Sequence, residues 1–250
     1  MKPDIHGAQI IGQREQQEDR FDHATMRRLF TANHLLILAD GMGGHARGDV
    51  AADLAVSNFA STYRKSASAI RDSHRQALDA ANDAINAQVA RTPELEGMGT
   101  TLIAATIAKD ALSWVSVGDS HLYRISGGTL TKLNADHSMA PVLAKMVERG
   151  ELTAEQAAGD PSRHALRSAL DGGKIDLVDF GAMEEPLAPK DILILASDGL
   201  DSLTPDEVLE IATRSRRLSA KTIAAALLRA VEAKALEHQD NTSLIVFIQR

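Results

Sequence analysis

Acidic residues recur in this sequence where apolar runs start or stop. Leu35-Leu36-Ile37-Leu38-Ala39 ends in Asp40-Gly41, Val115-Ser116-Val117-Gly118 in Asp119-Ser120, and Leu193-Ile194-Leu195-Ala196-Ser197 in Asp198-Gly199. Asp240-Asn241 stands just before the last apolar run, and Glu18-Asp19 follows the N-terminal segment. Taken singly, an Asp beside a Gly is a common turn former. Together, strand ends gathered at one rim would crowd carboxylates that repel one another unless cations lie between them. With no Cys in the chain, such a site offers oxygen ligands, which suit Mg²⁺ or Mn²⁺ holding several waters. Zinc would call for imidazole or thiolate.

Gly41-Met42-Gly43-Gly44-His45-Ala46 spells the dinucleotide pattern G-x-G-x-x-A. That pattern needs a second parallel strand soon after its helix, ending in an acidic residue, and a second long helical stretch comes here instead. No Gly-Lys-Ser/Thr follows, which removes an NTPase phosphate loop. The simpler reading is that Gly41, lacking a side chain, brings its carbonyl beside Asp40, with Gly43 and Gly44 permitting close approach.

The elements that must position these groups follow from periodicity. Strand-length apolar runs cover Leu35–Ala39, Thr101–Ala108, Leu112–Val117, Leu122–Ile125, Leu177–Phe180, Ile192–Ala196 and Ser243–Ile248, and helical periodicity covers Val50–Tyr63, Ile70–Val89, Val142–Glu148 and Lys221–Leu236. Gly127-Gly128 reads as a hairpin turn. Strands that follow one another through short turns predict antiparallel sheets with helices packed outside. Thr153 and Gln156 form a capping box inside an excursion over residues 136–174, placed to act as a flap over a site. The even composition of the 250 residues predicts one domain, residues 1–250. A formal charge of −7 opposes nucleic-acid binding. No apolar stretch approaches the length of a membrane span, which leads to the expectation of a cytoplasmic protein.

Six motifs occur in order: Arg14-Glu15-Gln16-Gln17-Glu18-Asp19, Asp40-Gly41-Met42-Gly43-Gly44, Gly99-Thr100-Thr101, Gly118-Asp119-Ser120, Ser197-Asp198-Gly199 and Asp240-Asn241. In this order they resemble the metal-dependent type 2C serine/threonine phosphatases, in their compact bacterial form, over nearly the whole chain. The resemblance implies an α+β fold, a four-layer α-β-β-α sandwich with two central antiparallel sheets and helix pairs outside. It implies hydrolysis of phosphoserine and phosphothreonine by water activated at two or three Mn²⁺ or Mg²⁺ ions, without a phosphoenzyme. Asp40 would bridge two ions. Asp198 and Asp240 would complete one, the Gly41 carbonyl and Glu18, through water, the other, and Asp119 would hold a third. Asp19 and Asn241 would orient ligands or waters, and Arg14 would bind phosphate through its planar fork.

Two positions depart from the pattern. Gln17 stands where Asn is usual and keeps the amide. Met42 occupies the place of a His that protonates the leaving group in many eukaryotic members, which leaves His45, His121, His137 or a water as candidates. The implied partners are phosphorylated proteins, including substrates of an opposing kinase, and the implied state is a monomer. The rival readings are a silent phosphoprotein-binding module on the same fold and a hydrolase of small phosphoesters.

Overall fold

The computed structural model describes residues 2–28, 31–43, 47–214 and 219–250. In chain order they form β1 (Asp4–Ile10), β2 (Arg20–Arg28), β3 (Thr31–Ala39) and β4 (Gly41–Met42), then the long helices α1 (Gly48–Lys65) and α2 (Ile70–Arg91). Next come β5 (Gly99–Thr100), β6 (Leu102–Ala108), β7 (Ala111–Val117), β8 (His121–Ser126) and β9 (Thr129–Lys132), followed by α3 (Ala140–Glu148) and α4 (Ala154–Ala158). The chain closes with β10 (Asp179–Ala182), β11 (Ile192–Ala196), α5 (Pro205–Thr213), α6 (Ala220–Ala233) and β12 (Thr242–Ile248).

Two five-stranded sheets result, ordered β1-β12-β11-β8-β9 and β10-β7-β6-β3-β2, and β4 pairs with β5 beside them. Every neighbouring pair within them is antiparallel. The central strands read as unbroken apolar runs because both of their faces are buried. On β3, Leu35, Ile37 and Ala39 face α1 and α2, while Leu36 and Leu38 point into the space between the sheets. On β11, Ile194 and Ala196 pack with α5 and α6, and Leu193 and Leu195 meet Phe247, Ile103 and Trp114 between the sheets. The layers are therefore helix, sheet, sheet and helix, as expected.

Turn and cap chemistry agrees with this. Gly127 and Gly128 both take positive φ, the geometry of a type I′ hairpin. The Thr153–Gln156 capping box forms at α4, and a second joins Thr204 and Glu207 ahead of α5. The structure also corrects several boundaries. The strand expected at 177–180 lies at Asp179–Ala182, and the last long helix stops at Ala233, where Ala235 adopts a left-handed conformation. The edge strands β1 and β2 and the helix α5 were not anticipated.

Strand direction gathers the acidic ends. β3 and β7 each lie antiparallel to β6, so they run parallel and end at the same edge. β2 is antiparallel to β3 and starts there. β11 ends where its antiparallel neighbour β12 begins. Five short segments from both sheets thus meet at one end of the sandwich.

Candidate metal centre

That end opens into a cleft of about 790 Å³ whose lining includes Arg14, Glu18, Asp40, Gly41, Met42, Asp119, Asp198 and Asp240. Each residue expected to hold a cation or phosphate is there. Asp19 is fully buried just behind them.

The supports are specific. Asp40 is held through its backbone: its N–H donates to Thr101 Oγ1 (3.0 Å), and its carbonyl accepts from the Thr100 hydroxyl and the Thr101 N–H (both 2.9 Å). The Thr101 hydroxyl also pairs with Ser120 Oγ at 2.8 Å, which ties the Asp40 loop to the Asp119 loop. Asp19 joins the two sheets, its Oδ2 accepting from Ser197 Oγ at 2.9 Å, while Ser197 Oγ accepts the Ser243 N–H at 2.9 Å. The Asn241 side chain fastens the N-terminal arm. Its Oδ1 accepts the Glu18 N–H (2.7 Å) and its Nδ2 donates to the carbonyls of Ile11 (2.7 Å) and Gln16 (3.0 Å). Gln17 supplies the amide expected there, donating to the Ile10 carbonyl and accepting from the Asp19 N–H, both at 3.0 Å. A Cβ on Gly41 would stand 2.3 Å from the Gly48 carbonyl oxygen and 2.7 Å from that of Glu18. Glycine there lets α1 begin against the strand that carries the cleft-lining Gly41.

Arg14 donates to Asp240 Oδ2 at 2.5 Å, and its side chain is 55 % exposed at the mouth of the cleft. Three histidines were candidates for protonating a leaving group. His121 is buried against Asp201 (2.8 Å). His137 is buried and accepts the Gly118 N–H, and burial lowers its pKa first of all. Neither lines the cleft, and His45 lies outside the described residues. His164 and Arg47 do line it and were not singled out from sequence. His164 sits in the 136–174 excursion with no local motif. Arg47 follows the glycine loop, where its basic side chain was a usable signal.

The electrostatics are those of an acidic cluster short of positive charge. Burial first, then the charges of Asp19, Asp198, Asp119 and Asp240, push the Asp40 carboxyl well above its ordinary value. Burial, followed by Asp198 and Asp136, raises Asp119 to about 7. Burial raises Asp19 to about 6 against the lowering effect of its hydroxyl partners. Asp198 is raised by burial, then by Asp240 and Asp201, with a hydrogen bond from Asp40 easing it.

Among the described residues, two buried carboxylate oxygens, Asp19 Oδ1 and Asp198 Oδ1, have no hydrogen-bond partner. Unpartnered anionic oxygens in a protein interior are costly. Divalent cations would relieve both that cost and the mutual repulsion. The described side chains do not close into a ready cage of three or more ligands. An open rim of oxygens suits Mg²⁺ or Mn²⁺, which bind through a few carboxylates and keep several waters. The donor set therefore fits these ions.

Comparison with known proteins gives a consistent picture. The sequence profile of the family described as Protein phosphatase 2C matches residues 6–236. A serine/threonine phosphatase stp from Listeria welshimeri is 34% identical over 189 residues, which cover 73% of this chain and 73% of that protein. The serine/threonine protein phosphatase PstP of Mycobacterium tuberculosis is 36% identical over 198 residues, covering 76% of this chain and 37% of that longer protein. The crystal structure of the Mycobacterium tuberculosis serine/threonine phosphatase PstP/Ppp superposes with a TM-score of 0.80 at 29% identity, covering 99% of both chains. The PstP catalytic domain in complex with two manganese ions superposes with a TM-score of 0.77, also at 29% identity and covering 99% of both chains.

Proposed function

The chain belongs to the protein phosphatase 2C family, and from that premise we propose that its acidic cleft is the Mn²⁺ or Mg²⁺ centre through which it hydrolyses phosphoserine and phosphothreonine on proteins. The observation that carries this reading is the convergence of Glu18, Asp40, Asp119, Asp198 and Asp240 from both sheets on one cleft. Asp40, Asp198, Asp240, Glu18 and the Gly41 carbonyl would hold two ions, with Asp119 available to a third. The two manganese ions bound by the PstP catalytic domain support a centre of at least two ions. Ions bound there supply Lewis acidity toward phosphoryl oxygens and a nucleophilic water near neutral pH.

The remaining work falls to the protein's own groups. Thr100 and Thr101 hold the Asp40 backbone, Asn241 holds the loop bearing Glu18, and Asp19 locks the two sheets together. Arg14 lies one ion pair from Asp240, within reach of a phosphoryl group at the mouth, where its fork can take two oxygens. Met42 lines the cleft and has no proton to donate, so protonation of the leaving oxygen falls to water or to another group. The whole chain would act as one catalytic domain, with residues 136–174 as a flap that brings His164 and Leu166 to the cleft. All the expected acidic ligands are present, which argues against a silent binding module. Among the described residues no helix is long and apolar enough to cross a membrane, in keeping with a cytoplasmic enzyme that opposes a protein kinase.

The deciding experiment is phosphate release from a phosphothreonine peptide with Mn²⁺, with Mg²⁺ and with excess chelator. Turnover that the chelator abolishes and either ion restores is the expected result. A folded chain inactive with both ions would overturn the reading.

A further inference from the structure

Two large apolar side chains among the described residues stay substantially exposed, Ile11 at 46% and Leu236 at 47%. Both line the same pocket, about 390 Å³, floored by Ile10 and Val231 and rimmed by Glu232 and Gln13. Gln13 also lines the acidic cleft, so the two depressions share a wall. That wall is rigidly coupled to the cleft. The Gln13 N–H donates to the Gln239 carbonyl at 2.8 Å, and the Ile11 carbonyl accepts from Asn241 at 2.7 Å. Gly12 takes a φ of 64° and packs so closely that a Cβ there would stand 2.4 Å from the Asp240 carbonyl oxygen.

An exposed apolar pair joined to a catalytic cleft indicates recognition. Ile11 and Arg14 are three positions apart, a span of at most roughly 10 Å, which an extended peptide covers in about three residues. The pocket is roomy enough for an aliphatic side chain together with some of its flanking backbone, and Glu232 on its rim disfavours an acidic one.

We propose that the Ile11–Leu236 pocket is a specificity subsite of the phosphatase, receiving an aliphatic side chain of the substrate about three residues from the phosphorylated one. The proposal rests on the phosphatase reading above. It commits the pocket to the same segment of phosphoprotein that enters the cleft, because Gln13 makes the two surfaces continuous.

The test is a set of phosphothreonine peptides in an alanine background. A single Leu is walked through about five positions on either side, bracketing the three-residue reach. Each peptide is assayed with the Mn²⁺-loaded full chain and with the Ile11→Ser/Leu236→Ser and Leu236→Gln variants. p-Nitrophenyl phosphate, too small to touch the pocket, serves as control. The expected result is a gain of about tenfold in kcat/KM at one or two neighbouring positions, carried mainly by KM, the scale of one aliphatic contact in a pocket. The gain disappears in both variants while p-nitrophenyl phosphate turnover stays at the wild-type level, which also shows that they fold. A flat Leu scan, or a preference that survives in the variants, overturns the subsite. So does sedimentation showing a wild-type dimer that the substitutions disperse, which would assign the face to a second copy of the chain. Failure of the wild type on every substrate, p-nitrophenyl phosphate included, would instead sink the phosphatase reading.

Discussion

The strand β11 has a buried carboxylate just before it and a half-buried one just after it, and their surroundings are opposite. Asp191, just before the strand, is 3% exposed and accepts from Arg124 at 2.6 and 2.9 Å and from the Ala188 N–H at 3.1 Å. Asp198, just after it, has a buried oxygen with no partner and stands among Asp40, Asp240 and Asp201. At Asp191 the protein supplies the countercharge from the neighbouring strand β8. At Asp198 the countercharge must come from outside. A buried carboxylate therefore marks a functional position when the fold withholds its partner, and burial alone marks nothing.

The sharpest test removes each charge in turn. Asp198→Asn is expected to lower kcat/KM with Mn²⁺ by about a thousandfold or more, equivalent to about 4 kcal/mol of transition-state stabilisation. It should not lower the thermal midpoint of the metal-free protein, since one repelling charge is gone. Asp191→Asn is expected to act the other way. It leaves the partly buried Arg124 without its carboxylate, at a cost of about 3 kcal/mol or roughly 8 °C in midpoint, while activity per folded molecule holds within about twofold. The contrast breaks if Asp198→Asn retains turnover, or if Asp191→Asn loses it while folded.

The second test uses pH. Burial and like charge hold Asp119 at about 7 and Asp19 at about 6, against the ordinary 3.8. A carboxyl with a raised folded-state pKa keeps its proton in the folded chain after the unfolded chain has lost it. The contribution of these two carboxyls to metal-free stability therefore falls as pH rises from about 4 through about 7 and is level above that. Asp119 alone accounts for about 4 kcal/mol of that fall, or roughly 10 °C in midpoint. Melting in chelator at about pH 5 and about pH 8 should show the higher midpoint at the acidic value, and Mn²⁺ should erase most of the difference. A midpoint with chelator that rises with pH would show that the carboxylates are not mutually destabilising.

Much of the architecture was legible because the central strands are buried on both faces. A run such as Leu35–Ala39 or Ile192–Ala196 leaves little alternative to a core strand. The edge strand β2, with Arg20, Asp22 and His23 among its residues, carries no such run. β1 was hidden in the same way, by polar residues and a glycine within Asp4–Ile10. The helix α5 was missed although Pro205 at its first turn and the Thr204–Glu207 capping box announce it, because nine residues give the apolar period little room. The acidic site was readable as residues at strand ends, but their meeting depends on strand direction, which separate segments do not reveal. The countercharge that sets Asp191 apart from Asp198 was not readable as a local signal, since Arg124 lies 67 positions from Asp191.

The smallest contrast lies along β6 and tests whether the cleft's hydroxyls do more than stabilise. Thr101, just before the strand, accepts from the Asp40 N–H and meets Ser120. Thr106, within it, donates to Tyr63 Oη at 2.9 Å and lies 2.9 Å from His74 Nε2, beneath α1 and α2. Replacing either with Val removes a buried hydroxyl at nearly constant volume and strands its partners, at about 1–2 kcal/mol. For Thr106→Val the cost should appear in the melting midpoint alone. Thr101→Val should also weaken Mn²⁺ binding by calorimetry and lower kcat, each by about tenfold, because the lost hydroxyl links the loops of Asp40 and Asp119 and its absence lets the ligand spacing drift. Thr101→Ser keeps the oxygen and should restore both. If Thr101→Val lost stability but kept metal affinity and kcat, its hydroxyl would be an ordinary core bond like that of Thr106, and the spacing of Asp40 and Asp119 would have to be held by the strands themselves.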